Sequence, residues 1–129
     1  MTRAVLDASA LMAFLRDEPG MGRVSEVIEG AAISAVNVAE VVAKGVQYGG
    51  TAPEISALLA TLPIRMVPFE AEDAYASGAL WPVTSKNGLS LGDRSCIALG
   101  KRLRLPILTS DGDWKGLEND LGVELVFIR

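Results

Sequence analysis

Four acidic residues stand where an apolar run ends or a helix begins: Asp7 after RAVL, Glu40 in SAVNVAEV, Asp93 in SLGDRS and Asp111 in PILTSDGDW. A carboxylate at the end of a buried strand is costly unless it is paired, hydrogen-bonded or bound to a metal. Several brought within a few ångströms repel and raise one another's pKa values, so such a cluster calls for a cation. Mg2+ or Mn2+ suits it. These hard ions take oxygen ligands, and one or two carboxylates per ion leave positions for water and phosphate oxygens. The implied chemistry is metal-assisted phosphodiester hydrolysis, in which a bound water with a lowered pKa supplies the nucleophile.

Taken singly, each acid has a structural explanation. Asn37 with Glu40, and Ser90 with Asp93, fit capping boxes, Asp7 can cap the helix after it, and Asp111-Gly112 is a common turn pair. A cap contributes about 1 kcal/mol and accounts for an acid at a helix start. It does not account for four such sites at the element ends expected to border one cleft.

The elements that must hold these acids alternate along the chain. AVLD (4–7) reads as a buried strand, followed by helices over 9–16 and 20–29, the second after the Pro19-Gly20 break. AAIS (31–34) is a strand, and a helix runs from Asn37 until Gly49-Gly50 stops it. Ile55, Leu58, Leu59 and Leu62 mark another helix, with Pro53 in its first turn. IRMVPF (64–69) is a strand, 70–81 a helix, PVTSKNG (82–88) a polar loop and 90–105 a helix. PILTS (106–110), a short helix or turn over 112–119 and the strand VELVFI close the chain. Strands alternating with helices imply one α/β domain over 1–129, a parallel sheet covered on both faces. Its cleft should lie beyond the carboxyl ends of the strands.

Composition narrows the chemistry. The 129 residues, half of them hydrophobic, suffice for one core. Histidine is absent, which removes histidine-based nucleophile systems and the usual zinc sites. The single cysteine, Cys96, excludes an internal disulfide and is expected to be a buried filler. No signal-like leader or membrane-length apolar run is visible, so a cytoplasmic protein with no membrane partner is expected. A net charge of −4 argues against a broad basic nucleic-acid surface but not against a nuclease, because bound cations offset a carboxylate site.

VLDASAL, SAVNVAEV, SLGDRSCIALGKRLRLPILTSDGDW and the final strand together resemble a PIN domain, and more closely the VapC toxins of bacterial type II toxin–antitoxin pairs. The resemblance covers essentially the whole chain and keeps all four acids in order. It implies a Mg2+-dependent endoribonuclease acting on structured RNA such as tRNA or rRNA. Asp7 and Asp93 would hold the principal metal, with Glu40 and Asp111 ligating it through water, helping a second ion or orienting the attacking water. Ser9 and Thr109 match hydroxyls that hydrogen-bond the carboxylates, and Asp113 is a further candidate ligand beside Asp111.

The same resemblance implies a homodimer and a cognate VapB-type antitoxin that wraps the toxin. Candidate apolar contacts for it are Leu11, Met12, Phe14, Leu15, Ile55, Leu59 and Trp81, which core packing would equally explain. Lys86, Arg94 and Lys115 lie nearer the expected cleft in the sequence map than Lys101, Arg102 and Arg104 and are the better candidates for RNA phosphate contact. Lys101, Arg102 and Arg104 fit a helix C-terminus instead. A PIN-type RNA-processing or DNA nuclease without an antitoxin is an open alternative. A Mg2+-binding receiver domain fits less well, since Asp7 has no acidic neighbour and no late Lys-Pro pair exists. A dehalogenase-type phosphatase would need an aspartate where Ser9 stands.

Overall fold

The computed structural model describes residues 2–129. Five strands, β1 (Val5–Leu6), β2 (Ala32–Ser34), β3 (Arg65–Val67), β4 (Ile107–Thr109) and β5 (Leu125–Phe127), form one sheet in the order β3-β2-β1-β4-β5. Every pairing is parallel, with Val5 opposite both Ala32 and Ile107. Around the sheet lie α1 (Ala8–Leu15), α2 (Met21–Ser25), α3 (Ala35–Gln47), α4 (Ala52–Ala60), α5 (Ala71–Ala79), α6 (Trp81–Thr84), α7 (Leu91–Leu103) and α8 (Glu118–Leu121). This is the α/β fold expected from the sequence.

Because successive strand side chains point to opposite faces, β1, β2, β4 and β5 each feed two cores, while β3 contributes only Val67. Val5, Ala32, Ile107 and Leu125 pack with Cys96 and Ile97 of α7, Trp114 and Leu121 on one side. Leu6, Ile33 and Leu108 pack with Leu11, Val24 and Val41 on the other. Fully burying such a side chain is worth about 1.5–3 kcal/mol, so both helix layers are held chiefly by these stripes. Gly100 lets α7 approach closely, since a Cβ there would lie 2.5 Å from Ile107 Cδ1.

Three of the differences from the sequence reading have a visible cause. The helix expected over 20–29 stops at Ser25, because the chain tightens into i+3 turns such as Val27 N–H to Val24 C=O and then reverses at Gly30 (φ 77°) to enter β2. The helix expected from Asn37 starts two residues earlier, capped by Ser34, whose Oγ accepts from Val36 N at 3.2 Å. The expected loop over 82–88 is instead α6 followed by a 3-10 turn, Ser85–Asn87. Thr84 is wholly buried there and donates to Leu80 C=O, supporting the helical turn that Pro82 begins. Among the apolar residues weighed as partner contacts, Leu11 and Leu59 are core, Met12, Phe14, Leu15 and Ile55 pack partly buried against it, and Trp81 is exposed. Among the described residues, no helix is long and apolar enough to cross a membrane.

Candidate active site

The strand order places the site. From β1 the chain moves outward through β2 and β3, then returns to add β4 on the other side of β1, so the connections diverge at the carboxyl ends of β1 and β4. At such a switch point the loops separate and leave a crevice. A cleft of about 460 Å3 opens there, and Asp7, Glu40, Asp93 and Asp111 all line it. The four acids come from four distant chain segments, brought together only by the sheet.

Asp7 follows β1 and is the most constrained, with 4% exposure. It caps α1, its Oδ1 accepting from Ala10 N at 2.8 Å and from Ser9 Oγ at 2.7 Å, while Thr109 Oγ1 donates to Oδ2 at 2.6 Å. Ser9 Oγ accepts from Ser110 N, and Thr109 Oγ1 from Asp111 N. Each hydroxyl thus spends its one proton on Asp7, so the 3.4 Å contact between Ser9 Oγ and Thr109 Oγ1 carries no proton and is not a bond. Burial pushes the Asp7 carboxyl up to about 6, against the lowering pull of the Thr109, Ser9 and Ala10 donors, with the Asp93 charge adding to the rise.

Asp93 sits in the first turn of α7 and completes the expected capping box with Ser90: Ser90 N donates to Oδ2 at 2.8 Å, and Asp93 N to Ser90 Oγ. Burial raises its pKa, opposed by the Ser90 hydrogen bonds, and the Asp111 charge raises it further. Glu40 is held differently from the sequence expectation. Asn37 lies inside α3, 1% exposed, and caps nothing. Its Nδ2 donates to Glu40 Oε1 at 2.8 Å and to Gly92 C=O at 3.0 Å, tying α3 to the start of α7. Its own Oδ1 is buried without a partner among the described residues, which costs stability and marks the amide as serving the two acceptors. Asp111 accepts from Asp113 N at 2.9 Å, opening a 3-10 turn at Gly112–Trp114.

Among the described residues, no three His, Cys, Asp or Glu side chains stand close enough to enclose a metal ion. The site is therefore not a closed cage of the structural-zinc kind. It fits an ion that keeps most of its water and is held by one or two carboxylates plus substrate oxygens, as Mg2+ and Mn2+ are. Glu40 Oε2, Asp93 Oδ1 and Asp111 Oδ2 accept no hydrogen bond within the described residues, and Asp7 Oδ2 retains a lone pair beyond its bond from Thr109. Those oxygens are the ones that could hold such an ion.

Ser9 also lines the cleft, as the sequence reading placed it, and Thr109 lies buried behind Asp7. Asp113, Lys86, Arg94 and Lys115 do not line it. Arg94 reaches back to Leu89 C=O, Lys115 lies over the Phe127 ring, and the Asp113 carbonyl accepts from Asn87. The cations on the cleft are Arg16, Lys44 and Arg129, with Tyr48 beside them. Arg16, Tyr48 and Arg129 meet the acids only after folding, whereas Lys44, one turn after Glu40 on α3, was detectable from its spacing and was missed. Gly92 was also missed, though a glycine in the first turn of a helix is a detectable oddity. Cys96 is buried as expected, and burial together with the nearby acids pushes its thiol well up, leaving it an inert filler.

A family model described as PIN domain matches residues 4–119. No curated protein matches the chain. Among solved structures, a toxin–antitoxin complex from Klebsiella pneumoniae superposes with a TM-score of 0.74 at 19% identity, covering 98% of both chains. A DNA-bound VapBC from Salmonella typhimurium gives 0.72 at 13% identity, covering 100% of both. VapC20 from Mycobacterium tuberculosis, a sarcin-ricin loop cleaving toxin, gives 0.72 at 15% identity, covering 86% of this chain and 92% of that one. These likenesses establish a common fold, and with residues 4–119 matched by the family model, the chain belongs to the PIN domain family.

Proposed function

We propose that the protein is a VapC-like toxin: a Mg2+-dependent endoribonuclease, with Mn2+ as a substitute, that cuts cellular RNA such as tRNA or rRNA and is restrained by a cognate VapB-type antitoxin. The observation that carries this reading is the meeting of Asp7, Glu40, Asp93 and Asp111 on one cleft at the switch point of a PIN fold. The structures it resembles support the partner and the toxin reading, since two are a toxin–antitoxin complex and a VapBC and one is a sarcin-ricin loop cleaving toxin. A sequence pI near 4.8 suits a basic antitoxin tail. A homodimer in the cytoplasm completes the reading.

Asp7 and Asp93 are the residues that would hold the principal ion, with Glu40 and Asp111 beside it. Bound there, the metal supplies Lewis acidity toward the phosphodiester and a water of lowered pKa. The chain's own part is positional. Thr109 and Ser9 lock the Asp7 rotamer and favour its ionised form, and Ser90 fixes one Asp93 oxygen so that the other stays free. Asn37 holds Glu40 Oε1, leaving Oε2 to orient or deprotonate the attacking water.

The test is to incubate purified protein, free of partner, with total cellular RNA and Mg2+, beside EDTA and Asp93→Asn controls. The side-chain amide that Asp93→Asn introduces keeps an oxygen able to accept from Ser90 N, so the helix start is kept while a ligand charge is lost. Discrete fragments absent from both controls support the proposal. Intact RNA with a folded, metal-binding wild type would sink it.

A further inference from the structure

The rim of the cleft carries a second chemistry. Arg16 ends α1 and Tyr48 ends α3, and they meet with the Arg16 guanidinium 3.7 Å from the centre of the Tyr48 ring. Lys44, one turn earlier on α3, lines the same cleft. Tyr48 stays 57% exposed although Arg16 covers one side of its ring. Cations at two helix C-termini would be expected from the dipoles alone. The dipoles do not explain an aromatic ring presented between them at the mouth of an acidic cleft.

From this juxtaposition we propose that Tyr48, Arg16 and Lys44 form a nucleotide subsite, in which an unpaired RNA base stacks on Tyr48 and the flanking phosphates meet Arg16 and Lys44. The ligand class rests on the ribonuclease reading above. Aromatic rings bind bases through their π-faces with little regard to sequence, and cations track the backbone. A paired base has both faces covered by its neighbours, so the subsite selects single-stranded or splayed nucleotides. Arg16 is available for this role. Its acidic partner, Glu18, is 3.6 Å away with both side chains substantially exposed, and such pairs are weak and easily exchanged for phosphate. An acidic peptide could use the cations, but it has no group that requires the ring.

The experiment measures binding of a short fluorescent single-stranded RNA with Ca2+ in place of Mg2+, then repeats it with a single abasic position scanned along the strand. Wild type, Tyr48→Ala, Tyr48→Phe and Lys44→Gln are compared. The expected result is about a tenfold loss of affinity in Tyr48→Ala, restored in Tyr48→Phe. At one position, abasic RNA should weaken wild type to the level of Tyr48→Ala and affect that variant no further. Lys44→Gln should weaken all strands alike and lower the salt dependence by about one unit. The same sequence as a duplex should show no dependence on Tyr48. Unchanged affinity in Tyr48→Ala, or abasic and Tyr48 losses that simply add, would overturn the subsite. If wild type cleaves RNA but Tyr48→Ala binds equally well, only this inference falls. If binding depends on Tyr48 but no RNA is cleaved with Mg2+, the subsite stands and the nuclease reading falls. If wild type binds no RNA, both fall.

Discussion

Gly92, in the first turn of α7, backs directly onto the Glu40 carboxylate of α3: a Cβ at position 92 would lie 2.5 Å from Glu40 Cδ. The glycine is therefore a packing requirement of the site, at some cost in helix propensity. Glu40 cannot simply swing aside, because Asn37 holds its Oε1 and is itself anchored to Gly92 C=O. Gly92→Ala is expected to fold, since α7 keeps its Ser90 cap, while Glu40 is displaced by an ångström or so. A displacement of that size costs on the order of 10²-fold in rate. The check is kcat for RNA cleavage together with a thermal melt; full activity in Gly92→Ala would mean that the Glu40 carboxylate shifts without cost and that Gly92 is not a packing requirement of the site.

Asp7 gives a pH signature. Its carboxyl is pushed from 3.8 up to about 6 by burial, so the native state holds the proton more tightly than the unfolded chain does. A neutral Asp7 stabilises the fold fully below about pH 4, and that contribution is lost as the pH rises through about 6. Above that, ionised Asp7 costs on the order of 3 kcal/mol in metal-free protein. In EDTA at pH 8, Asp7→Asn should melt higher than wild type, with the gap closing toward pH 4, and Mg2+ should raise the Tm of wild type alone. A lower Tm for Asp7→Asn at pH 8 would contradict this account.

The parallel α/β fold and the acids Asp7, Asp93 and Asp111 at its element ends were legible because both rest on local signals: apolar runs, turn residues and acids next to them; Glu40, expected to open its helix, lies in the second turn of α3 instead. The helix over 20–29 was overextended because its end is set by the need to return to β2 through Gly30, a tertiary constraint. Asn37 was legible as a partner of Glu40 but not in its role, since the α3 start depends on Ser34 and the second acceptor, Gly92 C=O, lies 55 residues away. Arg16 and Tyr48, 32 positions apart in sequence, carry no mutual signal until α1 and α3 pack together. Arg94 and Lys115, one and four residues from Asp93 and Asp111, make their contacts away from the cleft, whereas Arg16 and Arg129 reach it from distant segments, so neighbourhood along the chain is a poor guide to neighbourhood across a cleft.

Backbone strain offers a prediction independent of function. Arg104 follows the last turn of α7 at φ 56°, ψ 47°, the left-handed region, where its amide bonds Lys101 C=O and Leu105 N bonds Gly100 C=O. A side chain there costs roughly 1–2 kcal/mol, whereas glycine adopts the conformation freely but loses more entropy on folding. Arg104→Gly should come out about 1 kcal/mol more stable, a few degrees in Tm. A lower Tm would mean that the arginine makes a compensating interaction with the C-terminal dipole larger than the strain.

Thr109 joins the two halves of the acidic site, donating to Asp7 Oδ2 at 2.6 Å and accepting from Asp111 N at 3.0 Å. Thr109→Val keeps the shape of this wholly buried side chain and removes both bonds. Asp7 then loses its strongest lowering influence, so its carboxyl rises further above 6 and competes less well for a metal at neutral pH. The acid limb of the pH–rate profile should move to higher pH, and the Mg2+ concentration for half-maximal cleavage should rise, with saturating Mg2+ at high pH recovering most of the rate. Ser9→Ala should do the same to a smaller extent, since Ala10 N still donates to the oxygen that Ser9 leaves. Recovery at high pH and high metal separates loss of a carboxylate's acidity from a collapsed site, which no amount of Mg2+ would restore.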